Sequence, residues 1–187
     1  MVHQSDQVEV NRDSQFDFQP TLVGQSIILH PLRAEHFERL YTAASDPLIW
    51  EQHPEPNRYQ RQCFERGFFA GALASGSAFV VSNKVTGELI GSTRYYEWNP
   101  DLKEVAIGYT FLVRSHWGGT TNLEMKHLML EHAFRWAKVI WFHIGLNNWR
   151  SRRSVEKIGG RLSHEEVRNI QGGVERTRAC YRIDRSY

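Results

Sequence analysis

Apolar residues along the chain fall into short runs of two different periods, and the alternation of those runs predicts the elements. Residues 26–32 (SIILHPL) are β-branched and apolar, and Pro31, with no N–H for a ladder, marks an edge strand or a strand end. Over residues 34–44 the apolar Phe37, Leu40, Tyr41 and Ala44 recur at three- and four-residue steps, as on one helix face. Three prolines within residues 46–57 break the pattern into a loop. Helical spacing returns over residues 60–73 with Phe64, Phe68 and Phe69.

Residues 78–82 and 89–96 predict two strands of a hairpin joined by a Gly-containing turn, and residues 104–113 a third, set off by Asn99-Pro100-Asp101. Over residues 120–138 the charged Glu124, Glu131, Arg135 and Lys138 share one narrow face. Leu123, Met125, Leu130, Phe134 and Trp136 occupy the others, so this helix is expected to be mostly buried. A buried strand over residues 140–144 and a short helix over residues 151–158, stopped by Gly159-Gly160, come next. Residues 161–184 predict a last hairpin turning at Gln171-Gly172-Gly173. The order β-αα-βββ-α-β-α-ββ predicts an α/β fold with a mixed sheet and helices on its faces.

Composition narrows this picture. A length of 187 residues, 41% hydrophobic and 24% charged, fits one domain, expected over residues 16–187 after a polar, aperiodic tail at 1–15. A net charge of +2 gives no field for nucleic acid. No run approaches the roughly 18 apolar residues of a membrane span, and the first residues lack a basic-then-apolar signal, so a cytoplasmic location without membrane association is expected. Cys63 and Cys180 lie far apart and read as reduced structural thiols. His127 and His132 do not share a helix face, so no metal is expected there.

Candidate chemistry concentrates in residues 114–122 (RSHWGGTTN), where Gly118 and Gly119 bend the chain and Thr120, Thr121 and Asn122 open the long helix. Small residues let backbone N–H groups approach an anion, and a helix N-terminus favours negative charge. Gly pairs and N-capping residues are also common before ordinary helices, so this segment alone is weak. Asn148 and Ser151 stand at the next strand-to-helix turn, the kind of position where open α/β sheets place ligands. A cofactor lying across that edge would touch both loops.

The run IGYTFLVRSHWGG with Thr121, Asn122, Glu124 and Lys126, followed by a strand and the spacing Asn148, Ser151, Lys157, Gly159, resembles the GNAT superfamily of acyl-CoA N-acyltransferases. Within it the likeness is to the branch holding the ribosomal-protein N-terminal acetyltransferases. The resemblance implies that the strand ending in Phe111, Leu112 and Val113 splays from its neighbour and offers backbone groups to the pantetheine arm of acetyl-CoA. It implies that the amides of Trp117, Gly118, Gly119, Thr120, Thr121 and Asn122 hold the pyrophosphate. Asn148 would hydrogen-bond the pantetheine arm or order its turn. Ser151 would lie near the sulfur, where a hydroxyl either protonates the leaving thiolate or only hydrogen-bonds it. Three positions depart from the family loop pattern or its acid: Ser115 and Thr120 in the loop, and Val155 where many members carry a tyrosine acid.

An attacking amine must first lose a proton. Glu104, Glu97 and His143 are the candidate bases, with Tyr109 a further polar group in the cleft; a lone histidine on an apolar strand is as readily a hydrogen-bonded core residue. Arg152, with Arg150 and Arg153, is a candidate for a CoA phosphate or simply a solvated helix face. The implied reaction is direct transfer from acetyl-CoA to a primary amine: a protein N-terminus, or a small amine such as an aminoglycoside, polyamine or amino acid. A protein substrate would enter between the N-terminal helices and the C-terminal hairpin, past Phe64, Trp50 and Trp98. The alternative is a non-catalytic acyl-CoA-binding or sensor module, and the resemblance allows a monomer or a homodimer.

Overall fold

The structure, a computed structural model, describes residues 15–170 and 174–185. The turn expected at 171–173 and nearly all of the tail expected at 1–15 lie outside the described residues. Eight strands form one sheet in the order β1-β2-β3-β4-β5-β6-β8-β7, with β1 Leu22–Val23, β2 Ile27–Pro31, β3 Ala78–Asn83, β4 Leu89–Asn99, β5 Glu104–Leu112, β6 Val139–Gly145, β7 Arg161–Ile170 and β8 Val174–Asp184. Only β5 and β6 pair in parallel; every other neighbour pair is antiparallel. Pro31 ends β2, as its missing N–H requires.

Two helical layers cover the sheet. On one face, α1 (Phe37–Ala44) packs beside a second rod made of α2 (Arg61–Phe64), a π turn (Glu65–Phe69) and α3 (Ala70–Ala74). Phe64 is fully buried there among Phe37, Tyr41, Phe68, Phe69 and Phe111. The carbonyls of Gly67 and Gly71 in this rod accept bonds from Arg58 Nη2 at 3.4 Å and Arg94 Nη1 at 3.0 Å. On the other face lie α4 (Thr121–Ala133) and α5 (Trp149–Lys157), over a core that includes Tyr95, Ile107, Met125, Met129, Ile140, Phe142 and Tyr181.

The structure changes three expectations. The long helix ends at Ala133 rather than running to 138, because the chain turns at Phe134 and the Lys138 N–H bonds the Lys103 carbonyl to start β6. Leu123 on that helix is exposed whereas Lys126 and His132 are buried, so its sidedness is not the one that apolar residues alone draw. Phe64 and Trp50 line no entrance, being core side chains of the first helical layer, and Trp98 packs on Phe16 on the α4 side.

Candidate active site

Two irregularities open the sheet in the middle. β5 and β6 pair only at Glu104↔Val139, Val105↔Ile140 and Ala106↔Trp141. Beyond those pairs β5 follows β4 to Leu112 and β6 follows β8 to Gly145, so the two strands diverge into a wedge. The divergence coincides with a bulge at Tyr109 and Thr110, where two residues of β5 face one of β4 and Tyr109 takes φ 51°. A second bulge on β4, with Glu97 at φ 51°, turns that carboxylate toward β6.

The wedge has two distinct walls. On the α1 side the Tyr96 ring crosses β5 to meet His143 of β6, OH to Nδ1 at 2.9 Å. Only glycine at 108 permits this, because a Cβ there would lie 2.9 Å from the tyrosine ring. On the α4 side Lys126 Nζ donates to Thr110 Oγ1 at 2.7 Å and lies 5.7 Å from the centre of the Phe142 ring.

The open mouth of the wedge is framed by the two loops singled out from the sequence. Gly118 adopts φ 73°, a left-handed turn that suits glycine, and a Cβ added at Gly118 or Gly119 would meet nothing within 4 Å. Thr120 occupies the N-cap of α4 but makes no side-chain cap, so the helix's first N–H groups are left for another acceptor. The loops are stitched together. Trp117 Nε1 donates to the Leu112 carbonyl at 2.9 Å, the Arg150 guanidinium stacks 3.8 Å over the Trp117 ring, and Asn122 Nδ2 donates to Ser154 Oγ. Asn148 caps α5 by accepting the Ser151 N–H at 3.2 Å. Arg152 is turned inward, donating to the Tyr181 hydroxyl and the Leu146 carbonyl, each at 3.0 Å, which leaves it poorly placed to reach out to a phosphate.

Glu97, Glu104 and His143 meet in one open pocket of about 220 Å³, shared with Asn99, Ala106, Trp141 and His164. They are not equivalent. Glu104 sits at the closed end of the wedge and accepts from Trp141 Nε1 at 3.0 Å. Glu97 lies 3.6 Å from His143 Nδ1 and 3.2 Å from Arg168. Burial, then the nearby Arg178, hold the His143 imidazole down to about 4, so it is neutral at neutral pH.

That depression predicts a pH dependence of stability. The unfolded ring titrates near 6.5 and the folded ring near 4, so between those values the folded state binds fewer protons. Its contribution is fully present above the unfolded value and is lost as pH falls toward 4. Urea unfolding at pH 5 compared with pH 7 should show a loss of about 2 kcal/mol that His143→Gln removes. An unchanged slope in that variant would reassign the acid sensitivity to other groups.

His164, Glu166 and Cys180 also converge, with potential ligand atoms within 4.8 Å of one another. The Glu166 carboxylate is already held by Arg178 at 2.7 Å and Arg168 at 3.5 Å, and burial raises the Cys180 thiol. This is an ion-paired patch of the hairpin rather than a ligand set with a free carboxylate and thiolate.

A mixed sheet split by a parallel wedge, with an uncapped helix N-terminus at its mouth, is the framework of one class of acyl-transferring proteins. The family model described as an acetyltransferase (GNAT) domain matches residues 26–161, and the chain belongs to that family. No curated protein sequence matches the chain. Solved structures share the fold. A GCN5-related N-acetyltransferase from Brucella melitensis superposes with a TM-score of 0.80 at 20% identity, covering 91% of this chain and 80% of that one. Mycobacterium smegmatis RimJ in complex with CoA-disulfide gives 0.67 at 18% identity, covering 91% and 88%. The Microcin C7 self immunity acetyltransferase MccE, in complex with acetyl-CoA and AMP, gives 0.71 at 14% identity, covering 89% and 98%.

Proposed function

We propose that this protein is an N-acetyltransferase that moves the acetyl group of acetyl-CoA directly onto a primary amine. The observation carrying this reading is the end of β5–β6 pairing at Ala106↔Trp141 with the uncapped α4 N-terminus at the open end. Strand edges that stop pairing leave N–H and C=O groups to a ligand, and pantetheine, an extended chain with two amides, matches them. In this reading the arm runs along Phe111, Leu112 and Val113, although the Val113 N–H and carbonyl are already bonded to the Ile90 carbonyl and the His116 N–H. The amides of residues 117–122 take the pyrophosphate, for which the space around Gly118 and Gly119 is open. Asn148 holds the turn that presents Ser151. Family membership, and neighbours solved with acetyl-CoA or CoA-disulfide, support the choice of donor.

The amine approaches from the α1 side, where Tyr109, Tyr96, His143 and Glu97 converge. Proximity supplies most of the rate, since both reactants are held against each other in one cleft. Of the candidate bases Glu97 fits best, because its partly exposed carboxylate lies 3.6 Å from the His143 ring that Tyr96 holds by a hydrogen bond, at the edge of the cleft where the amine approaches. A neutral imidazole with so low a pKa is a weak proton acceptor at neutral pH, which weighs against His143 as the base itself. Glu97→Gln is therefore expected to lower kcat by roughly 100-fold with little change in acetyl-CoA affinity. Glu104→Gln should have a smaller effect, and the reverse order would move the base to Glu104.

The test is release of free CoA from acetyl-CoA across a panel of peptide N-termini, amino acids, polyamines and aminoglycosides. Turnover on at least one class is expected. Tight acetyl-CoA binding with no turnover on any amine would replace the enzyme by an acyl-CoA-binding module.

A further inference from the structure

Lys126 is buried, whereas Lys84, Lys103, Lys138 and Lys157 are exposed. It is 4% exposed, and burial pulls its pKa down to about 7 with no neighbouring carboxylate to offset the cost. An ammonium taken out of water without a counter-charge costs several kcal/mol, and a methionine of similar length would fill the same space without that cost. Thr110 is its hydrogen-bond acceptor among the described residues, so two of its three N–H bonds remain.

Its position is as specific as its burial. Thr110 belongs to the bulge where β5 leaves β6, and Phe142 is the first β6 residue past the last paired position. The amine between them therefore lies at the vertex of the wedge. The wedge, on the reading above, holds the pantetheine arm with its thioester toward that vertex. We propose that Lys126 Nζ meets the sulfur of the acyl thioester there and gives it a proton as the C–S bond breaks. This rests on the proposed use of the wedge for acetyl-CoA.

The step balances. The amine nitrogen forms the new N–C bond, and the C–S electron pair leaves on sulfur. Sulfur takes a proton from Nζ to become the thiol of free CoA, and Lys126 regains one from solvent after product leaves. The proton lost by the amine departs through the Glu97 side. A thiol ionises near ~8.5, so an ammonium of comparable acidity is a far better donor to it than a serine hydroxyl such as Ser151. Other groups facing the vertex are neutral: the hydroxyls of Thr93 and Thr110, which lie 2.8 Å apart, the Phe142 ring, Met129, and the Tyr95 hydroxyl bonded to the Met129 carbonyl. On α5 the Arg152 guanidinium is directed to the Tyr181 hydroxyl and the Leu146 carbonyl, and Ser154 to Asn122. The ionisable Glu97, Tyr96 and His143 lie on the opposite face of the sheet.

The test uses CoA itself, bound to the full chain, with thiolate ultraviolet absorbance followed against pH. In wild type and Lys126→Arg the bound thiol should ionise at least about one pH unit lower than in Lys126→Met, because an adjacent cation stabilises the thiolate. Lys126→Met should also melt higher than wild type, as an uncompensated buried amine is removed; should it not fold, Lys126→Gln takes its place. The same ionisation with and without the amine, CoA being bound in both, would overturn the proposal while leaving the proposed function standing. Failure of wild type to bind CoA would instead overturn the proposed function, and the role of Lys126 with it.

Discussion

Gly119→Glu is expected to fold like the wild type and to bind CoA at least about 100-fold more weakly, a loss of roughly 2.7 kcal/mol. The position tolerates a side chain, since an added Cβ would meet nothing within 4 Å and no positive φ is required there. A carboxylate at this point lies just ahead of the α4 N-terminus. For the free protein that is neutral or mildly favourable, because the helix dipole welcomes an anion. For the proposed complex it is costly, since there the same amides would hold a doubly charged pyrophosphate and like charges brought together cost several kcal/mol. Titration calorimetry with CoA, alongside a thermal melt, separates the two effects. Gly119→Ala, which adds bulk without charge, should bind nearly as wild type.

The second large effect concerns stability. Phe64→Ala should cost about 3–5 kcal/mol in unfolding free energy, as a large ring is removed from a fully packed site. Phe64 is 0% exposed and touches rings from α1, the π turn and β5, so neither helix alone can collapse into the void. Phe111, its partner on β5, is part of the strand that forms one wall of the wedge. Chemical unfolding should thus show the loss, with weaker CoA binding as a secondary effect. A cost under about 1 kcal/mol would mean that this layer repacks freely.

Periodicity was enough to order the elements apart from the two-residue β1, which is too short to carry a pattern, because each other strand or helix carries its apolar pattern locally and is bounded by prolines, glycines or an Asn cap. The wedge was not legible from spacing. It depends on bulges at Tyr109 and Glu97, both with positive φ, and neither residue type advertises that conformation as Gly or Asn would. Only the family likeness pointed to a splayed strand. The Tyr96–His143 bond was equally hidden, since it spans 47 residues and needs the missing Cβ of Gly108. Lys126 lay in plain view within the family-like motif, yet a lysine on a helix reads as solvated until the neighbouring sheet is in place. Aromatic residues misled in the opposite direction: Phe64 and Trp50 pack as core side chains, as aromatics at helical spacing generally do.

Acetyl-CoA is proposed to lie in the wedge with its pyrophosphate on the α4 N-terminus. Backbone hydrogen exchange with and without acetyl-CoA tests it most directly, because it reads individual amides rather than turnover. Protection should appear over residues 109–123 and 146–151 and leave the β7–β8 hairpin unchanged. Protection confined to other segments, or none at saturating acetyl-CoA, would contradict the account.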